Sequence, residues 1–301
     1  MSKLSELIRN PYAIFRFLNH RGMLKNMSDE QFVKVMYRAY IGKVLDLEHP
    51  KTYNEKIQWI KLYDRKPEYT RNADKYAVRA YIRDVLGEEY LVPIVGVYER
   101  AEDIPWDELP EKFVLKCTHS SHQNIICRDK SKLDKEEACK QMNGWLKTSG
   151  FTFGREWCYK DIPPMILCEH FIETADGRPP VDYKFMCFNG EPKLIQVHKN
   201  RDCEDYNLTY FTPEWKKLDI KRVDAATSDL STPKPDKLPE MIEIARILSK
   251  GTYFSRIDLY FEGGKILFGE ITYYPTSGFS TFADNTTDEY LGSLINLPTD
   301  K

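Results

Sequence analysis

Residues 255–274, SRIDLYFEGGKILFGEITYY, decide the fold. Two runs rich in β-branched and large apolar residues flank Gly263-Gly264, the pattern of an antiparallel hairpin. Alternate side chains of a strand share a face, so Arg256, Asp258 and Tyr260 point one way and Ile257 and Leu259 the other. On the returning strand Phe268, Glu270 and Thr272 are expected on one face, and Leu267, Gly269 and Ile271 on the other. Whether Asp258 meets Glu270 depends on the turn. A two-residue Gly263-Gly264 turn sets the carboxylates on opposite faces, whereas an odd-length loop sets them directly across, with Cβ atoms about 5 Å apart. Two carboxylates that close repel by roughly 3 kcal/mol at an effective dielectric of about 20. Arg256 relieves that repulsion by a salt bridge; Mg²⁺ relieves it as a hard cation that takes one or two carboxylates together with phosphate oxygens.

Working outward, VDYKFMCF (181–188) and KLIQV (193–197) flank Asn189-Gly190, the strongest short hairpin signal in the chain. FVLKC (113–117) and NIIC (124–127) form a further hairpin with Thr118 to Gln123 at its tip. MILCEHFIE (165–173) reads as a strand, Lys132 to Leu146 and PEMIEIARILSK as helices. Ser28-Asp29-Glu30-Gln31 and Thr52-Tyr53-Asn54-Glu55 read as capping boxes that open two earlier helices. Asp74-Lys75 starts another, ended by Gly87. Helices mixed with hairpins rather than parallel crossovers make the class α+β with several lobes.

Lys116 ends an otherwise apolar strand, beside the polar tip THSSHQ. A lysine there suits a phosphate, and it equally suits an edge strand that deters aggregation. Lys75, at a helix start, could meet an anion. Asp182 and Lys184 share a strand face as an ion pair, and His119 and His122 are candidate bases or phosphate ligands. Cys117, His119, His122 and Cys127 match no strong zinc spacing.

Composition narrows the classes. Of 301 residues, 42% are hydrophobic and 30% charged, which excludes disorder and fibre. Lys plus Arg number 44 against 46 Asp plus Glu, so the basic excess that nucleic-acid binding needs is missing. Seven scattered cysteines without a CxxC argue for a reducing compartment, and no stretch approaches the ~20 apolar residues of a membrane span. With no signal-peptide pattern either, a cytoplasmic protein is expected. Near the N-terminus Ile8, Tyr12, Phe15 and Leu18 recur at helical spacing among Lys3, Arg9, Arg16 and Arg21. That pattern suits a helix packed on the body, or one making a weak membrane or polysaccharide-assembly contact.

Taken in order, DK (74–75), FVLKCTHSS (113–121), ILCEHFIE (166–173), DYKFMCFNG (182–190) and SRIDLYFEGGKILFGEITYYPTSGF (255–279) resemble the ATP-grasp superfamily. KTYNEKIQWIKLYDR and DYKFMCFNG are similar to its TupA-like branch, known from bacterial polysaccharide gene clusters. The resemblance runs from about Lys51 to Leu297. It implies an α+β ATP-grasp fold, two lobes clasping ATP, with an N-terminal helical segment (1–50), an N-terminal lobe (51–112), a small lobe with the phosphate-covering hairpin (113–175) and a large lobe with the metal-binding hairpin (176–301).

By resemblance, Lys75 and Lys116 contact the α- and β-phosphates, and the tip, with Ser120 and Ser121, covers them. Glu169, His170, Phe171 and Ile172 form the adenine–ribose hinge, with Ile166 and Leu167 just before it. Asp258, Glu270 and Thr272 ligate Mg²⁺. Arg256, Lys184 and His119 are the implied catalytic groups, Arg256 stabilising charge on the reacting carboxyl oxygen. Two positions depart from the family's pattern: the tip lacks glycine, and Thr272 stands where Asn is common. The implied activity is ATP- and Mg²⁺-dependent ligation of a carboxylate, such as a uronic-acid sugar, to an amine in capsule or O-antigen assembly. The competing readings are a glycosyltransferase, with Asp202-Cys203-Glu204 as a degenerate metal motif, and a non-catalytic nucleotide- or polysaccharide-binding protein.

Overall fold

A computed structural model of the chain describes residues 10–201, 203–223 and 232–298. Two antiparallel sheets organise it. The small sheet comprises β1 (Ile94–Tyr98), β2 (Phe113–Cys117), β3 (Asn124–Cys127) and β4 (Ile166–His170), in the order β1-β4-β2-β3. Its β1 comes from the stretch expected to belong to the preceding lobe. Along β2 the alternation is strict: Phe113, Leu115 and Cys117 are buried, while Val114 and Lys116 lie on the half-buried opposite face. The buried set packs with Ile166, Cys168 and Met142. Met142 belongs to α6 (Lys135–Leu146), which follows α1 (Ile14–His20), α2 (Asp29–Ile41), α3 (Tyr53–Tyr63), α4 (Pro67–Ala73) and α5 (Val78–Val85).

The large sheet comprises β5 (Asp182–Phe188), β6 (Glu191–Lys199), β7 (Asn207–Phe211), β8 (Lys217–Leu218), β9 (Phe254–Glu262) and β10 (Lys265–Thr272), in the order β10-β9-β5-β6-β7-β8. One face carries Phe185, Val197, Ile257, Leu259 and Ile271, all buried. After the short α7 (Gly150–Gly154), α8 (Leu238–Ser249) packs against β5, β6 and β9. Each fully buried aliphatic side chain of that layer contributes about 1.5–3 kcal/mol relative to exposure. The opposite face carries Asp182, Lys184, Arg256, Asp258 and Glu270, with Met186, Phe188, Leu194 and Phe254 buried beside them.

The terminal hairpin departs from both geometries expected for it. Its turn has two residues, since Glu262 pairs with Lys265, and Gly263 and Gly264 have φ of 56° and 74°, as a type I′ turn requires. Asp258 nevertheless lies directly across from Glu270. The register slips by one between Phe268 and Glu270, leaving Gly269 as the extra residue of a β-bulge. Phe268 therefore turns into the core with Ile266 and Ile271 instead of sharing a face with Glu270. A Cβ at Gly269 would stand 3.0 Å from the Asp258 carbonyl oxygen, so a side chain there would press on the backbone of the partner strand.

The N-terminal helices are stitched to this body. Phe15 and Leu18 pack on the main core, and Asn19 Nδ2 donates to the Phe153 carbonyl at 2.9 Å. Arg155 donates to the carbonyls of Leu24, Lys25 and Met27 at 3.0, 2.8 and 3.2 Å. Lys3, Ile8 and Arg9 of the amphipathic pattern lie outside the described residues, as does Asp202. No described helix is long and apolar enough to cross a membrane. Ser28 caps α2 through the Gln31 N–H, and Thr52 and Glu55 complete a capping box on α3. All seven cysteines are free.

Candidate active site

The polar face of the large sheet presents a row of charges running across the strands. The register sets Glu270 opposite Asp258, and Asp258 opposite Lys184. Lys184 Nζ donates to Asp258 and, at 2.7 Å, to Asp182, so the ion pair expected for Asp182 and Lys184 is present. Arg256 closes on Asp258 through Nε at 2.6 Å and Nη2 at 2.7 Å. The same Nη2 lies 3.0 Å from Glu270 Oε1 and 3.1 Å from Thr272 Oγ1. Three oxygens of three residues thus converge on one cationic atom. Two carboxylates and a hydroxyl are a hard, all-oxygen donor set of the kind Mg²⁺ accepts, and the cation they hold here is Arg256 Nη2.

The environment pushes the two carboxylates in opposite directions. Burial lifts Asp258 to about 6 against the pull of Arg256 and Lys184. Glu270 is held well below the usual range: burial opposes this, but Arg256, Lys184 and Lys75 outweigh it. Asp182 Oδ2 also accepts from Arg201 Nη1 at 3.3 Å. Among the described residues no group of three or more His, Cys, Asp or Glu side chains forms a metal site, so the Cys117–Cys127 segment holds no zinc arrangement.

Across the cleft the small lobe supplies cations. Lys116 Nζ lies 2.6 Å from Glu169 Oε2, and Arg79 Nη1 lies 2.8 Å from Glu169 Oε1. Lys75 sits in the turn before α5; its ammonium donates to the Ser120 carbonyl, and its backbone N–H to the Thr118 carbonyl at 3.3 Å. Burial lowers the Lys75 pKa, while Glu270 raises it and Lys116 lowers it further. These two lysines and Glu270 therefore share one field.

The glycine-free tip is held by its own side chains. Ser120 Oγ donates to Gln123, and Gln123 Nε2 donates to Thr148 Oγ1 at 2.9 Å. Ser121 Oγ lies 3.5 Å from Tyr159 Oη. His119, expected among the catalytic groups, is buried, with Nε2 3.1 Å from the Thr148 carbonyl; it ties the tip to the loop after α6. His122, left-handed at φ 60°, is instead the histidine in the field of Arg201, Glu270, Arg256 and Lys184.

Ile166 packs in the small-lobe core, while Leu167 pairs with Lys116 and precedes Glu169. His170, Phe171 and Ile172 line a 370 Å³ cavity whose other wall is Glu262, Lys265 and Leu267 of the terminal hairpin. Hinge and hairpin thus enclose a slot between the lobes. Sequence reasoning missed Arg79 and Arg201. The first was legible as an arginine on the buried side of α5 beside Val78 and Ile82; the second, in a polar loop, left no signal.

The TupA-like ATP-grasp family matches residues 55–296. The chain belongs to that family. ATP-grasp enzymes are ATP- and Mg²⁺-dependent and ligate carbon to nitrogen. No curated protein matches the chain. Solved structures similar to this ATP-grasp chain include a D-alanine–D-alanine ligase from Helicobacter pylori, 16% identical with a TM-score of 0.42, covering 81% of this chain and 69% of that one. A D-alanine–D-alanine ligase from Bacillus anthracis is 17% identical, TM-score 0.42, covering 67% and 57%. A RimK domain protein ATP-grasp from Sphaerobacter thermophilus is 12% identical, TM-score 0.38, covering 75% and 67%.

Proposed function

We propose that the protein is a cytoplasmic carboxylate–amine ligase that joins an amino acid or other amine to a uronic-acid sugar in bacterial capsule or O-antigen assembly. The observation that carries the reading is the convergence of Asp258, Glu270 and Thr272 oxygens on one cation position, opposite a small-lobe face bearing Lys75 and Lys116. ATP, when bound with Mg²⁺, would supply the γ-phosphoryl group that activates the carboxylate as an acyl phosphate, leaving ADP, and the amine would then displace inorganic phosphate. Asp258, Glu270 and Thr272 hold the metal. Lys75 and Lys116 take phosphate charge, and the Thr118–Gln123 tip, with Ser120 and Ser121, closes over it. Glu169 to Ile172 receive the adenosine in the slot beside the hairpin, positioned by Ile166 and Leu167. Arg256, freed from the carboxylates, stabilises charge on the acyl oxygen, and Lys184 keeps Asp258 oriented. His119 positions the tip.

The test measures ADP and phosphate release with glucuronate and a panel of amines, with nucleotide-sugar consumption as the control. ADP release that requires both a carboxylate and an amine, and an amide product by mass spectrometry, is the expected result. Nucleotide-sugar turnover without ATP would establish a glycosyltransferase instead, and nucleotide binding without any turnover would establish a binding protein.

A further inference from the structure

A second cleft, of 690 Å³, opens between β3 of the small sheet and, from the large lobe, residues 177–179 with Arg201 and Cys203. Three arginines line it, Arg128, Arg178 and Arg201, with Asn124 from β3, and among the described lining residues none is acidic. Their existing partners are few and shared. Arg128 donates to the Gly177 carbonyl at 3.3 Å and lies over the Phe171 ring. Arg178 pairs with Asp205 at 2.6 Å, and the same Asp205 oxygen accepts from Asn200. Arg201 pairs with Asp182 at 3.3 Å, an oxygen already bonded to Lys184. All three guanidinium side chains are exposed at the cleft, so each retains N–H donors for a ligand.

We propose that this cleft binds the diphosphate of a diphosphate-linked sugar substrate. A lone carboxylate is matched by one bidentate guanidinium; three guanidinium groups spread around one cleft match a ligand with several separated anionic oxygens. The volume falls within the roughly 300–1,000 Å³ of small-molecule sites and is larger than the hinge slot. Position adds a second argument. Arg201 sits within the field of Glu270 and Arg256 and is joined through Asp182 and Lys184 to Asp258. A diphosphate on the arginines therefore delivers the attached sugar acid to the charge row. The inference rests on the ligase reading and names the form in which its carboxylate arrives.

Calorimetry on the full chain tests it, with inorganic pyrophosphate, UDP-glucuronate, farnesyl diphosphate and free glucuronate as probes. Pyrophosphate and at least one diphosphate conjugate should bind, and glucuronate should bind at least tenfold more weakly. Arg128→Gln and Arg178→Gln, both at exposed positions, should each weaken the conjugate about tenfold or more, and Arg178→Gln, which touches no hinge residue, should leave ATP affinity unchanged. Preference for UDP-glucuronate or for farnesyl diphosphate separates a nucleotide carrier from a lipid carrier, and either supports the site. Equal loss of ATP affinity in Arg178→Gln would assign the cleft to ATP and overturn the proposal. Binding of glucuronate as tight as that of its conjugate, or no binding of any diphosphate, would overturn it too. Because these readouts are binding alone, they stand apart from ADP release, on which the ligase reading depends.

Discussion

Two hairpins face each other across the cleft, and they achieve precision by different means. The terminal hairpin β9–β10 is defined by its backbone. A two-glycine turn sets one register, the Gly269 bulge shifts it by one residue, and the ladder then fixes Asp258 against Glu270. The β2–β3 hairpin ends in a six-residue tip, Thr118 to Gln123, whose shape is set by side-chain tethers to Thr148, Tyr159 and Lys75. Backbone registration fixes groups that must meet to within fractions of an ångström. Side-chain tethers fix a cover that must also let ligand in.

Gly269→Val attacks the first device directly. A side chain there presses on the Asp258 carbonyl, and a strand re-paired without the bulge sets residue 269 opposite Asp258 and turns Glu270 and Thr272 toward the core face, so ADP release should vanish and the melting temperature should fall. Asp258→Asn and Glu270→Gln probe the same cluster without moving the backbone, and they should abolish amide formation in a folded protein. A fully active Gly269→Val protein would show that register is not what aligns the site. Next in size, Arg256→Ala should lower kcat by at least ~10²-fold, the low end for losing an oxyanion donor, as read by steady-state ADP release at saturating substrate.

On the other hairpin the effects should be smaller. Lys116→Ala should weaken ATP binding by roughly 1–3 kcal/mol, and unchanged affinity would remove this lysine from the site. A pH series separates the two carboxylates. Protonation of Asp258 as pH falls through about 6 removes a ligand, whereas Glu270, held low by its cations against burial, stays ionised. Half-saturating Mg²⁺ should therefore rise about tenfold between pH 7 and pH 5, measured by Mg²⁺ titration of ADP release; a flat profile would place the metal away from Asp258. Ser120→Ala, which removes one tether to Gln123, should cost about 1 kcal/mol or less of ATP affinity. A loss as large as that of Lys116→Ala would mean the tip is as rigidly specified as the terminal hairpin.

The contrast also explains what could be read from the sequence. Strand faces were legible because alternation has a period of two, so Arg256, Asp258 and Tyr260 were grouped correctly, as were Asp182 and Lys184. The bulge was not. A displaced register depends on the partner strand, and an isolated Gly269 reads equally as a weak point in a strand. The roles of the two tip histidines could not be separated either, because what holds His119 is the Thr148 carbonyl, in a loop more than twenty residues away in sequence. Arg201 reaches the site from a polar loop whose residue spacing carries no such information, whereas Arg79 was open to reading from the apolar pattern of α5.

Arg155 has a consequence for anyone handling this protein in pieces. Its guanidinium gathers three carbonyls of the segment between α1 and α2, and Phe32, Val33, Met36 and Tyr37 of α2 lie in the same core as the large sheet. The family match begins only at residue 55. An expression fragment trimmed to that match would bare four large apolar side chains' worth of contact surface and take from Arg155 its three carbonyl acceptors. The boundary that homology draws is therefore not a cutting site, and a recombinant product started there should be recovered as aggregate.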